Sequence, residues 1–264
     1  MLTKSVESKY LLRIQDALQA AGAAVSRFLP GRFEVHDRGG RNVVTEVDRK
    51  LSHVLRKGLL QPGEGWLSEE DADDRTRLSK EVVWIVDPLD GTREFVDGIP
   101  EWCISVGLAV AGTAVAGGIL NPATGERFLG GLHSGVTYNG RRTEPTRKTS
   151  LVCAEVLASR QEYNRGEWRK FEGKEFSIRA TGSVAYKLAL VSAGLADATW
   201  TLSPKHEWDV AAGVALVNSA GCGVCCTQNA KLLFNQDKTL LPGLVASSSG
   251  IWGQVLQLVS PGDT

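Results

Sequence analysis

Trp84-Ile85-Val86-Asp87-Pro88-Leu89-Asp90-Gly91-Thr92 decides how this chain is read. The apolar run at its start, with two β-branched residues, reads as a buried strand. That strand meets an acid, a proline, a second acid and a glycine. Pro88 has no N–H and a fixed φ, so the chain is expected to leave the sheet there. Gly91 permits the backbone angle that starts a new element, and Thr92 suits the opening turn of a helix. Two carboxylates are thereby held close together beside free backbone N–H groups. Such an arrangement binds hard cations through the acids and a phosphate through the amides.

Outward from this stretch, 264 residues suffice for one large domain or two modest ones. Lys+Arg and Asp+Glu number 30 each, so net charge draws the chain neither to a nucleic-acid polymer nor to an anionic membrane. No apolar stretch reaches the roughly 20 residues that cross a bilayer. Met1-Leu2-Thr3-Lys4 runs into a polar-faced helix without a signal-peptide core. A cytoplasmic enzyme is expected. Cys222-Gly223-Val224-Cys225 has the spacing of half a zinc site or of a redox pair, but no second such pair and no His pair follow it. With Cys226 it reads as a buried small-residue strand, where free Cys commonly sits.

Residues 4–28 place Ile14, Leu18, Ala21 and Val25 at helical spacing, and Pro30-Gly31 ends the run. Arg38-Gly39-Gly40-Arg41 reads as a flexible basic loop, and Val43-Val44-Thr45-Glu46-Val47-Asp48 as a strand-to-helix junction before a helix over 46–58. Trp66-Leu67-Ser68 is a short strand delivering Glu69 and Glu70. Strands are expected over 103–110, 114–120 and 127–129, with a polar connector over 141–149. We place a subdomain boundary there: an N-terminal α+β unit over 1–145, with most of the acids, and a C-terminal α/β unit over 146–264. The second half alternates strands (151–157, 176–179, 196–201, 222–227) with helices (163–171, 184–193, 209–219), which argues for α/β layers.

Further acids join the strand-end pair. Glu69-Glu70 follows a strand, Thr45 and Asp48 flank a helix start, and Asp209 opens the small-residue helix of Glu207-Trp208-Asp209-Val210-Ala211-Ala212-Gly213. Each has a plain explanation, as a solvated turn, a helix-end charge or an N-cap. Together they suit two divalent ions about 4 Å apart, which hold the attacking and leaving oxygens of phosphoryl transfer.

Thr45-Glu46-Val47-Asp48, Ser68-Glu69-Glu70, Asp87-Pro88-Leu89-Asp90-Gly91-Thr92 and Trp208-Asp209-Val210-Ala211-Ala212-Gly213 resemble, in order and spacing, the four motifs of the inositol monophosphatase superfamily. The resemblance covers nearly the whole chain. It implies a layered αβαβα sandwich, often dimeric, and a Mg²⁺-dependent, lithium-sensitive phosphomonoesterase with two or three Mg²⁺ per site. Glu69, Asp87 and the Leu89 carbonyl would hold the first metal; Asp87, Asp90 and Asp209 would hold the second, with Asp87 bridging. Glu69 and Thr92 would orient the attacking water, Asp48 would fix Thr92 by a hydrogen bond, and Thr45 belongs to the same catalytic motif. The N–H groups of Gly91 and Thr92 would receive the phosphate.

Substrate choice rests on finer likenesses. Leu67-Ser68-Glu69-Glu70-Asp71, Gly91-Thr92-Arg93-Glu94-Phe95 and Ser159-Arg160 resemble the 3'(2'),5'-bisphosphate nucleotidase branch. Gly182-Ser183-Val184-Ala185-Tyr186-Lys187 resembles that branch's G-S-S-x-K with one extra residue, so Ser183, Lys187 and Arg160 are candidate contacts to a second phosphate. The chain departs from each branch at one position. Thr201 occupies the place of a usual arginine, and the sugar-binding glutamate of the inositol enzymes is absent near Leu202. The expected substrate is adenosine 3',5'-bisphosphate. The alternatives are inositol 1-phosphate, a broader range of sugar phosphates, or a non-catalytic phosphate or nucleotide sensor on the same fold.

Overall fold

The computed structural model describes residues 2–28 and 41–259, the side chains at 27 and 41–45 excepted. The Pro30-Gly31 stop, most of the Arg38–Arg41 loop and the side chain of Thr45 therefore lie outside the described residues. In chain order the first half comprises α1 (Lys4–Val25), α2 (Arg41–Leu59), β1 (Gly65–Ser68), β2 (Val82–Asp90), α3 (Thr92–Val96), β3 (Cys103–Val110), β4 (Thr113–Asn121), β5 (Glu126–Gly131), β6 (Gly135–Tyr138) and β7 (Arg141–Thr143). The second comprises β8 (Glu155–Ser159), α4 (Arg160–Asn164), β9 (Ser177–Thr181), α5 (Val184–Ser192), β10 (Ala198–Trp200), β11 (Lys205–His206), α6 (Glu207–Ser219), β12 (Gly223–Cys226), β13 (Leu240–Leu241), β14 (Leu244–Ser247) and α7 (Trp252–Val259).

β1 to β7 form one sheet in sequence order, with β1 parallel to β2 and antiparallel neighbours thereafter. A second sheet runs β12-β14-β10-β8-β9, in which β8 is parallel to β9 and β10. The apolar stripe of α1 (Ile14, Leu18, Ala21, Val25) packs with Leu51 and Leu55 of α2 onto Trp84, Val86, Val106 and Leu108. α5 and α6 cover the other face of this sheet. Beyond them lies the second sheet, whose far face packs Ile251, Val255 and a Trp168–Trp200 stack. The layers thus run αβαβα, as the motif resemblance implied. A strand buried on both faces needs no polar alternation, which explains the continuous apolar run of β2.

α6 lies unusually close to the first sheet. A Cβ on Gly117 would stand 2.5 Å from the Ala212 carbonyl oxygen, and one on Gly107 would stand 2.8 Å from the Ala211 Cβ. The small residues after Asp209 therefore fit a helix laid directly on two strand glycines.

Several boundaries differ from expectation. β2 does not end at Pro88. It continues to Asp90 across a bulge, the register passing from Asp87–Ser105 to Asp90–Cys103. Pro88 falls inside the bulge, where no ladder N–H is required. The Val43–Asp48 stretch is not a junction but the first turns of α2, which starts at Arg41. Packing of Val47, Leu51 and Leu55 overrides the β preference of Val43-Val44-Thr45. β8 begins at Glu155, because 151–154 is a turn closed by Ala154 N–H to Leu151 O, with Cys153 at φ 57°. The helix expected over 163–171 is two short pieces separated by Gly166 at φ 78°. Cys222, Cys225 and Cys226 are free and buried, in keeping with the core reading.

Candidate active site

The bulge at the end of β2 brings Asp87 and Asp90 to one cavity of about 280 Å³, which Glu69, Leu89, Gly91, Thr92 and Asp209 also line. Asp87 is 1% exposed and accepts the Leu89 N–H at 2.9 Å. Asp90 is gripped by the start of α5: its Oδ2 accepts Ser183 Oγ–H at 2.6 Å and Ala185 N–H at 2.8 Å. Ser183 sits at φ 48° and also accepts the Tyr186 N–H at 3.0 Å, so it caps α5 while it orients Asp90. Gly91 is at φ 94°, and a Cβ there would stand 3.0 Å from the Glu101 carbonyl oxygen. Thr92 is exposed, and its hydroxyl donates to Leu89 O at 3.1 Å; that carbonyl is its described partner, rather than Asp48.

Glu69 arrives from the end of β1, and Asp209 from the first turn of α6. One oxygen of Asp209 accepts the His206 N–H at 2.8 Å, so the capping role foreseen for an acid at a helix start holds alongside its place in the cavity wall. Asp48 is buried on α2, near Glu69 and Glu70.

Burial and mutual repulsion dominate the electrostatics. Burial pushes Asp87 well above the usual carboxylate range, and Asp90, Glu69 and Asp209 add to the shift. Asp209 is pushed up to about 7, by burial and then by Asp90. Asp48 is pushed up to about 8 by burial and by Glu70 and Glu69. Glu69 is raised by burial, Asp90 and Glu70, against a hydrogen bond with Asp87 that lowers it. Among the described residues no three His, Cys, Asp or Glu side chains already close on one point as a finished ligand cage. The acids instead border open space. Crowded, desolvated carboxylates on the wall of a polar cavity fit a hard divalent cation, whose charge would relieve each of these repulsions. Asp87, Asp90, Asp209, Glu69 and the Leu89 carbonyl are the residues that could hold it.

The lining is cationic as well as acidic: Arg93, Arg160, Lys187 and Lys205 border the same cavity. Lys187 is 2% exposed, and its ammonium donates to Thr181 O (3.3 Å) and Ser183 O (3.1 Å). Two of its three protons are thus directed at carbonyls. Burial pulls its pKa down to about 8 against the attraction of Asp90. Arg160 donates through Nη2 to Glu101 (2.5 Å) and to Ala180 O (3.0 Å), while its buried Nε has no partner among the described residues.

Two contributors escaped the sequence reading. Glu101 fixes both Arg160 and the Gly182 N–H (2.7 Å), yet nothing around Pro100-Glu101-Trp102 marks it. Glu94, 4% exposed, lines the cavity and has its pKa raised by burial; the Gly91–Phe95 likeness contained it without giving it a role.

Residues 8–257 match the model of the inositol monophosphatase family. The chain is 32% identical over 226 residues to an inositol monophosphatase of Mesembryanthemum crystallinum, covering 81% of this chain and 84% of that protein. It is 34% identical over 198 residues to an inositol-1-monophosphatase of Rhizobium meliloti (strain 1021), covering 72% and 74%. Among solved structures, the extragenic suppressor protein suhB of Bartonella henselae superposes with a TM-score of 0.76 at 27% identity, covering 94% of this chain and 97% of that one. The fold and its cavity therefore define a phosphatase of phosphate monoesters. The chain belongs to the inositol monophosphatase family, which is generally Mg²⁺-dependent. No helix among the described residues is long and apolar enough to cross a membrane.

Proposed function

We propose that this phosphatase acts on a small phosphate monoester that carries a second anionic group, with adenosine 3',5'-bisphosphate as the substrate the site suits best. The observation that carries this reading is the set of cations that share the cavity lining with the acids, above all Arg160 and the buried Lys187. An ester with a single phosphate needs little beyond the metals and the amides at Gly91 and Thr92. Four cations, three of them part-buried or buried, are matched by a ligand with further negative charge.

In this reading Glu69, Asp87, Asp90, Asp209 and the Leu89 carbonyl hold two or three Mg²⁺. Bound Mg²⁺ neutralises charge on the ester phosphate and acts as a Lewis acid toward it. The chain's own contribution is orientation. Ser183 and the Ala185 N–H fix one oxygen of Asp90, so its other oxygen is aimed without freedom to rotate. Glu69 and the exposed Thr92 hydroxyl border the space for the attacking water; Thr92, held through its bond to the Leu89 carbonyl, would orient that water, and the Glu69 carboxylate would accept its proton. The N–H groups of Gly91 and Thr92 receive the phosphate oxygens.

An inositol 1-phosphate specificity is the second reading, favoured by the names of the relatives in Mesembryanthemum and Rhizobium. Phosphate release from the two compounds under Mg²⁺ separates them. We expect a higher kcat/KM for the bisphosphate. Arg160→Ala and Lys187→Met should lower that value by about 10- to 100-fold, the worth of one charge-assisted hydrogen bond, with a smaller effect on singly phosphorylated substrates. Preference of the wild type for inositol 1-phosphate, or equal losses on both substrates, overturns the nucleotide assignment.

A further inference from the structure

Arg77 is 1% exposed and lies outside the cavity wall, yet it ties together the two segments that deliver Glu69 and Asp209. Its stem packs on the first residue of β1: a Cβ on Gly65 would stand 3.1 Å from the Arg77 Cβ. Four of the five N–H groups of its head are engaged. Nε and Nη2 donate to the two oxygens of Asp73 at 3.1 and 2.8 Å. Nη1 donates to Asn235 Oδ1 at 2.8 Å, Nη2 also reaches Gln236 O at 3.0 Å, and Asn235 Nδ2 returns a bond to Arg77 O at 3.0 Å. The backbone N–H groups of Asn235 and Gln236 then donate to the two oxygens of Glu207 at 2.6 and 2.8 Å. Glu207 is 0% exposed and is the first residue of α6, two positions before Asp209.

We propose that Arg77, Asn235 and Glu207 form a buried clamp that holds the Asp209 end of α6 against β1 and the Asp73 segment, the two stretches that flank Glu69, which makes Arg77 a positioning residue for the metal-binding acids. This rests on the assignment of Glu69 and Asp209 as metal ligands. Apolar contacts would join two segments at lower desolvation cost, but they do not fix relative orientation as a forked guanidinium does. The span between these carboxylates tolerates little error, because ligand geometry depends on the partners that orient it.

The test compares full-length wild type with Asn235→Gly, Arg77→Met and Arg77→Lys. Asn235 is at φ 59°, so Asn235→Gly keeps the backbone and its bonds to Glu207 while cutting the side-chain link to Arg77. Calorimetric titration with Mg²⁺ and the Mg²⁺ dependence of phosphate release are measured well below each melting temperature. The expected result is metal affinity about 10-fold weaker in Asn235→Gly and Arg77→Met. The rate at saturating Mg²⁺ should change little, and Arg77→Lys should recover part of the affinity. Variants that melt cooperatively and bind Mg²⁺ as tightly as wild type overturn the clamp and reduce it to a fold contact. Where Arg77→Met does not fold, Asn235→Gly alone decides. The wild-type titration judges the metal assignment separately: a wild type that binds no Mg²⁺ removes that assignment, whatever the variants do.

Discussion

Replacing Glu162 with Gln removes a buried negative charge and breaks one hydrogen bond, and its cost can be worked from the contacts. Glu162 is 1% exposed. Its Oε1 accepts Thr201 Oγ1–H (2.5 Å), Leu202 N–H (3.1 Å) and Ser203 N–H (3.0 Å), and its Oε2 accepts the Trp168 indole N–H (3.2 Å). All four partners are donors. A Gln that keeps its oxygen toward the first three points its NH₂ at Trp168, leaving two donors face to face. An orphaned buried donor costs about 1–3 kcal/mol, and each surviving bond loses roughly 1 kcal/mol of charge assistance. Relief of carboxylate desolvation offsets part of this, for a net loss of about 2–4 kcal/mol. At roughly 2–4 °C per kcal/mol for a chain of this size, the melting temperature should fall by about 5–15 °C.

The pH dependence has a definite sign. Burial raises the Glu162 pKa, but the bonds from Thr201, Ser203, Trp168 and Leu202 outweigh it and hold the carboxyl below its ordinary value of 4.5. A depressed folded pKa gives stability that is present above the unfolded value and lost as pH falls through the folded one. The gap between wild type and Glu162→Gln should therefore be full at neutral pH and close below about pH 4.5. Paired thermal melts across that range measure it. Equal melting temperatures at neutral pH, or a gap that widens on acidification, would refute the reasoning.

Gly117→Val should destabilise by about 1–3 kcal/mol through overpacking, because the new Cβ meets the Ala212 carbonyl at 2.5 Å; a variant with an unchanged melting temperature would show that α6 can retreat freely. Thiol labelling of the native protein should modify exposed Cys153 and spare Cys222 and Cys225, whose thiols burial pushes up to about 12 and about 11. Labelling of all three at similar rates, read by mass spectrometry, would contradict the core reading of that segment.

What was legible in the sequence was local. Trp84–Thr92 carries its strand and helix start within nine consecutive residues, and the Asp209 motif announces a helix rich in small residues. What was not legible depends on partners distant in sequence. Pro88 reads as a strand end because the bulge that accommodates it is a property of the pairing with β3. Val43-Val44-Thr45 read as β because the sheet that makes α2 favourable is formed elsewhere. Glu101 meets Arg160, Arg77 meets Asn235, and Glu162 meets Thr201 across 59, 158 and 39 residues, with no periodicity or motif linking the pairs. Ser183 was noted as a substrate contact; its hydroxyl is engaged with Asp90, which only the approach of α5 to β2 reveals.

Asp90→Asn offers the most direct test of the metal-assisted phosphatase account. An amide can still accept from Ser183 and Ala185, so the variant should melt within a few degrees of wild type. Phosphate release from a small phosphate monoester, titrated with Mg²⁺, is then compared in the two proteins. The account predicts Mg²⁺-dependent release by wild type, abolished by chelation, and a loss of about a hundredfold or more in Asp90→Asn. Release that ignores Mg²⁺, or near-normal turnover by the folded variant, would contradict it.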